Sequence, residues 1–200
     1  MYKVYGRVQS RASRVLWLLE ELGQEYEFVD VGPHDPQVAA LNDTGKIPVL
    51  VDGDHVISDS SAIMTYLADK HGAFTYPAGT PERAQQDSLF HALIDEFDAL
   101  LWTATRHMGV LPEDKRVPAI HESLKWEFTN SVERLSKRFE GPFLQGDKPT
   151  IADILCAHCM SWARGIGFPV EAENLRAYGK DMRSRPAAQR MGALAQQPKG

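Results

Sequence analysis

Gly45-Lys46-Ile47-Pro48-Val49-Leu50 and Asp59-Ser60-Ser61-Ala62-Ile63 flank a stretch that reads as a β-hairpin, and the two together decide the reading of this chain. Proline donates no hydrogen bond, so Pro48 fits the first position of a strand rather than its middle. A cis peptide bond before it would turn the main chain of Ile47 out of the sheet and leave its N–H and C=O open to an extended guest. Val49-Leu50-Val51 and His55-Val56-Ile57 read as strands joined at Asp52-Gly53, turn residues that accept positive φ. Asp59 or Ser60 then serves as N-cap of a helix with apolar positions at Ile63, Tyr66 and Leu67. A helix start offers unpaired N–H groups and the positive end of the helix dipole, which suit a carboxylate, and Asp59 adds a counter-charge for an amine. Alone, the helix start reads as an ordinary N-cap. With the proline segment it predicts a site that holds a small peptide by its backbone and its charged end.

The amino-terminal end adds a second element of the same site. Lys3-Val4-Tyr5 reads as a first strand, and Val15, Leu18, Leu19 and Leu22 mark one apolar face of a helix that stops near Gly23. Ser10-Arg11-Ala12-Ser13 lies at their junction. A thioredoxin-like redox protein carries Cys-x-x-Cys there; Ser-x-x-Ser forms no such disulfide. Hydroxyls at a helix start can instead donate to a thiolate that belongs to the ligand.

Beyond His71 the pattern changes. Gly72 to Pro81 carries two prolines and two glycines and reads as connecting chain. The domains are placed at 1–75 and 84–200, with 76–83 as linker. Leu89, Leu93, Phe97, Leu100, Ala104 and Met108 recur at helical spacing, as do Leu124, Phe128, Val132, Leu135 and Phe139. Thr150 and Asp153 have capping-box spacing and open a helix carrying Ile151, Ile154, Leu155, Cys159 and Trp162, apolar around much of its circumference and so read as buried. Cys156-Ala157-His158-Cys159 holds the only two cysteines of the chain, short of the four ligands a structural zinc needs, so both read as small hydrophobes and no metal site is expected. The Ala/Gln/Pro/Gly-rich tail after Pro186 is expected to fray.

Two hundred residues with 43% apolar content can bury a sizeable core. Neither a membrane-length apolar run nor a signal-peptide start is present, so the expected location is the cytoplasm and no membrane partner is expected. A net charge of −5 argues against nucleic acid as the main partner.

The stretches 10–15, 45–50, 59–63 and 146–153, in that order, resemble the glutathione S-transferase family over most of the chain. The resemblance implies an α/β plus all-α fold: a thioredoxin-like βαβαββα domain followed by an all-helical domain, in a serine-type, bacterial-like cytosolic member. It implies a detoxifying transferase that joins the glutathione sulfur to a hydrophobic electrophile, with glutathione as co-substrate and no covalently bound cofactor. Ser10 would donate to that sulfur, since Ser10 and Arg14 keep the serine-type Ser-x-x-x-Arg spacing; Ser13 and Tyr5 are the alternatives, and each of the three also fits a capping or core role. Lys46, Ile47, Pro48, Asp59 and Ser60 would hold glutathione: Lys46 its glycyl carboxylate, Ile47 its cysteine by main-chain bonds, Asp59 and Ser60 its γ-glutamyl end. The family more often has Glu at the position of Asp59. His34 lies near a ligand position of some classes and is given no role. Trp102, Arg106, His107, Trp162 and Phe168 are the positions expected to shape a second-substrate pocket, or else to be core. A homodimer is implied, with Phe90 beside Leu89 and Leu101 beside Leu100 as the apolar surplus that would cover an interface or the chain's own core. The alternatives are a noncatalytic interaction module of the same fold and a glutathione-dependent reductase or isomerase.

Overall fold

The hairpin and the first helix fall in one unit of the computed structural model, which describes residues 1–196. This unit comprises Met1–Ala78 together with residues 183–196, and the second comprises Gly79–Met182. In the first, β1 (Tyr2–Gly6), α1 (Ala12–Leu22), β2 (Tyr26–Asp30), α2 (Pro36–Ala39), β3 (Val49–Asp52), β4 (His55–Ser58) and α3 (Ser60–His71) follow in order. The sheet order is β2-β1-β3-β4, with β1 parallel to β2 and antiparallel to β3. This is the mixed four-stranded sheet of a thioredoxin-like domain.

Along β1 the period of two puts Tyr2, Val4 and Gly6 on the buried face and leaves Lys3 and Tyr5 half-exposed. A Cβ on Gly6 would stand 2.5 Å from that of Ala12, so only glycine lets the strand end meet the start of α1. That helix is buried from Ala12 to Leu19 and ends at Gly23, whose φ of 62° supplies the left-handed C-cap. The hairpin turn differs from the sequence reading by one residue. Asp52 pairs with His55 as the last rung of the ladder, so the two-residue turn is Gly53-Asp54, with Gly53 at φ 59°. Asp52 is thereby freed for tertiary work: its carboxylate accepts from the Tyr66 hydroxyl at 2.6 Å and pairs with Lys70. The Lys70 ammonium, then the Tyr66 hydroxyl, hold the Asp52 carboxyl below the usual carboxylate range.

The chain after Pro186 does not fray over its described part. Pro186 stands at the first position of α9 (Pro186–Ala193), where its missing N–H is no loss, and α9 packs on α1. Arg185 grips Glu21 with two bonds, at 2.5 and 2.8 Å, and Arg190 reaches Glu20 at 2.6 Å. Those contacts supply the anchoring that composition alone does not reveal. Residues 197–200 of that tail lie outside the described residues.

The second unit is helical: α4 (Pro81–Leu93), α5 (Ala99–Thr105), α6 (Ile120–Arg138), α7 (Ile151–Gly165) and most of α8 (Glu173–Ser184). A π-helical turn, Ile94–Asp98, joins α4 to α5, and a second, Arg106–Val110, follows α5. The first shifts the buried stripe. It runs Leu93, Phe97, Leu101, Ala104 instead of through Leu100, and Met108 ends up 53% exposed. Phe90 and Leu101 are both buried in the core.

The capping box of Thr150 and Asp153 is present at the start of α7. Asp153 has no exposed surface, and its two oxygens accept from four donors: Leu144 N–H at 2.9 Å, Tyr178 O–H at 2.9 Å, Thr150 N–H at 2.7 Å and Thr150 O–H at 3.1 Å. Burial pushes its carboxyl up, and these hydrogen bonds oppose the rise. Cys156 and Cys159 are fully buried on the same helix. Burial pushes the Cys156 thiol well up, which keeps it an inert apolar filler.

Candidate functional site

Three segments of the first unit carry the residues singled out in the sequence. The first is the turn between β1 and α1. The Ser10 hydroxyl donates to Arg7 O at 2.7 Å and accepts from the Ala12 N–H at 3.1 Å, so it caps the opening turn from a half-exposed position. Ser13 is turned inward, 6% exposed, and its hydroxyl donates to Ser10 O at 2.9 Å. Tyr5 is half-buried in mid-strand, and its hydroxyl has no hydrogen-bond partner among the described residues.

The second segment leads into β3. Asn42 shapes it: its side chain donates to Lys46 O at 2.9 Å and accepts from the Thr44 N–H at 3.3 Å and the Thr44 hydroxyl at 3.0 Å. His34 N–H donates to Gly45 O at 2.8 Å, and a Cβ on Gly45 would fall 2.3 Å from His34 Nδ1, so this approach also demands glycine. The Ile47-Pro48 peptide bond is cis. Lys46 is exposed, Ile47 half-buried and Pro48 buried. Among the described residues neither the N–H nor the C=O of Ile47 has a hydrogen-bond partner. Main-chain groups are obligatory hydrogen-bonders, so this adjacent donor and acceptor are open to an outside chain.

The third segment is the start of α3. Asp59 is its N-cap, at φ 72°, a left-handed conformation that a non-glycine residue adopts only at some strain and that clusters at ligand sites. Its Oδ1 accepts from the N–H of Ser61 at 2.8 Å and of Ala62 at 3.2 Å, and from the Ser61 hydroxyl. Its Oδ2 has no partner among the described residues. Ser60 is 4% exposed, and Arg14, itself 2% exposed, donates to its hydroxyl at 3.4 Å. A buried guanidinium thus ties the start of α1 to the start of α3. In the sequence Arg14 marked only a register. Its burial gives it a positioning role that no local pattern announces. Asn42 was also unread, although Asn-x-Thr before a glycine is a signal for an Asx-turn.

Comparison with known proteins bears on these same segments. The family described as glutathione S-transferase, N-terminal domain, matches residues 4–79. A zeta-class glutathione S-transferase of Euphorbia esula is 31% identical over 162 residues, covering 76% of this chain and 71% of the relative. The chain belongs to the glutathione S-transferase family. Glutathione S-transferase F9 of Arabidopsis thaliana is 28% identical over 203 residues, covering 92% of this chain and 93% of its own. In fold, a glutathione transferase of Phanerochaete chrysosporium solved with oxidised glutathione superposes with a TM-score of 0.85 at 23% identity, over 98% of this chain and 96% of that one.

The five positions read from the sequence as second-substrate residues all lie in the helical unit. Three of them make two separate contacts at the end of α5. The Trp162 indole N–H donates to Thr105 Oγ1 at 3.0 Å, and the Arg106 guanidinium lies over the Trp102 ring, 5.8 Å from its centroid. His107 accepts from the Val117 N–H through Nδ1 at 3.0 Å and so fastens the chain after α5. Phe168 lies in the core, 2% exposed, against Phe128 and His121. Thr105 was unread in the sequence, although it follows Trp102 by three positions and therefore shares its helix face. Among the described residues no three His, Cys, Asp or Glu side chains converge as a metal-binding group, and no helix is long and apolar enough to cross a membrane.

Proposed function

We propose that this chain is a serine-type glutathione transferase: it binds glutathione along Ile47 and at the start of α3, and directs the glutathione sulfur at an electrophilic carbon of a small hydrophobic molecule. The open N–H and C=O of Ile47 carry this reading, because a half-buried, unsatisfied donor–acceptor pair fits an extended peptide and has no structural use of its own. At the start of α3, the Ser60 hydroxyl and the helix N–H groups suit the γ-glutamyl carboxylate, while Asp59 Oδ2 suits the amine. Lys46, exposed beside Ile47, suits the glycyl carboxylate.

In the reaction the thiol loses its proton to water, the thiolate forms the S–C bond, and the electrophile's leaving group or π electrons take up the displaced charge. Ser10 serves this step by turning its O–H from Arg7 O to the sulfur while still accepting from the Ala12 N–H. A charge-assisted bond of this kind strengthens as the thiolate forms, and the opening turn of α1 adds the positive end of its dipole. Glutathione-transferase relatives in plants and fungi support the assignment of co-substrate.

A noncatalytic interaction module of the same fold is the competing reading. The Ser10 hydroxyl's existing bond to Arg7 O favours it, since a satisfied cap need not act on sulfur. Turnover of a model electrophile with glutathione separates the two, and isothermal titration with glutathione tests the binding step that the transferase reading requires. The transferase reading expects saturable binding below millimolar ligand; an absence of binding at millimolar glutathione overturns it.

A further inference from the structure

We propose that Arg106 makes the helical unit selective for a second substrate with an anionic oxygen group, a carboxylate or sulfonate, on a flat apolar body. The inference rests on the transferase reading for the word substrate, but its binding half stands without it.

Arg106 is a permanent cation, yet no acidic side chain among the described residues pairs with it. Its one hydrogen bond there runs from Nη2 to Thr103 Oγ1 at 3.4 Å, the outer limit of such a bond. Its Nε is buried without an acceptor. A donor stripped of water and given nothing in return is a standing cost, so the side chain rests poorly where it lies over Trp102. Pivoting toward an anion would satisfy Nε and the fork together, with the bidentate geometry that arginine offers a carboxylate.

Its surroundings suit the rest of such a ligand. Thr105 accepts from the Trp162 indole while donating its own proton to Leu101 O at 2.8 Å, so the Trp162 ring is held as a fixed flat surface. After Arg106 the chain exposes Met108 and Val110, 53% and 58%, and Arg116 braces this segment by donating to Leu111 O at 2.8 Å and Gly109 O at 3.1 Å. The net charge of −5 makes the whole chain repel anions at long range, so any preference for an anion has to be local.

The test compares a chloronitrobenzoate with the chloronitrobenzamide of the same substitution pattern, identical in ring and leaving group and different in charge. Their kcat/KM values with saturating glutathione are measured for the full chain, R106Q and R106K. In parallel, association of the unreactive nitrobenzoate and nitrobenzamide is followed by tryptophan fluorescence without glutathione. The expected result is a preference for the anion of about tenfold to a hundredfold in both readouts, the range of one hydrogen bond to a charged group. R106Q abolishes that preference and R106K keeps part of it. Equal association of the two unreactive probes with the wild-type chain, or a preference that survives in R106Q, overturns the inference. Turnover without charge preference overturns it while sparing the transferase reading. A charge preference in binding with no turnover of either electrophile does the reverse.

Discussion

Replacing Asp153 by alanine strands two main-chain donors that nothing else can reach. Of its four bonds, those from Leu144 N–H and Thr150 N–H have no second acceptor among the described residues, whereas the Tyr178 hydroxyl can fall back on Asp153 O, 3.4 Å away, and the Thr150 hydroxyl keeps the bond it accepts from the Ala152 N–H while losing its own acceptor. Each stranded buried donor costs about 1–3 kcal/mol. Removing a buried charge that burial disfavours returns part of this. The balance is a loss of about 3 kcal/mol, near the top of what single substitutions produce and above the average of about 1 kcal/mol for losing a cap. Urea unfolding of the two proteins, with equal slopes, measures it from the shift in midpoint. The conservative Asp153→Asn keeps one acceptor oxygen and turns its amide toward Thr150, so it lies between the two. A loss for Asp153→Ala within about 0.5 kcal/mol of zero would show that the carboxylate is not what holds Leu144 and Thr150.

Ser60→Ala weakens glutathione binding by about one to two decades, the worth of a hydrogen bond to a charged group, and leaves the pKa of the bound thiol unchanged; a normal dissociation constant by titration calorimetry would reduce the start of α3 to a cap. Asp52, whose folded-state pKa is depressed by Lys70 and Tyr66, adds stability that is present above its unfolded pKa of about 3.9 and is lost as pH falls through the lower folded value. Carbon-13 titration of the carboxyls therefore finds Asp52 below the ordinary aspartate range in the wild type and back in it in Lys70→Met; identical titrations would dissolve the cluster. We expect a homodimer, and with Phe90 and Leu101 in the core its interface has to draw on other residues; Ala84, Gln85, Ser88, Leu89, Ala92 and Arg138 line an open cleft of about 360 Å³ that a partner could cover. Sedimentation equilibrium at micromolar protein should give twice the 22.4 kDa chain mass, and the chain mass alone would contradict it.

Wherever a local rule governs, the sequence was readable. The hairpin follows from alternating strands around a glycine, the end of α1 from Gly23, and the start of α7 from the Thr150–Asp153 spacing. Departures begin where geometry is set at a distance. The turn slipped by one residue because Asp52 continues the ladder and answers to Tyr66 and Lys70 on α3. The helical stripe slipped from Leu100 to Leu101 because the π-turn at Ile94–Asp98 takes up an extra residue, which a fixed spacing cannot foresee. The tail misled by composition: alanine and proline suit a helix once Arg185 and Arg190 find Glu21 and Glu20 on α1. At the candidate site, Ser10, Ile47, Asp59 and Ser60 were legible through motif and cap, while Arg14 and Thr105 matter through partners many residues away.

In the proposed mechanism this chain holds glutathione as a thiolate beside Ser10. Thiolate absorbance of bound glutathione, titrated against pH in the wild type and in Ser10→Ala, tests it directly. A free thiol has a pKa near 8.5. The expected bound value is well below this in the wild type, with a rise of about 1–2 in Ser10→Ala, the equivalent of one hydrogen bond to a charged group, and glutathione still bound. The same bound-thiol pKa in both proteins would contradict it and return the role to Ser13 or Tyr5.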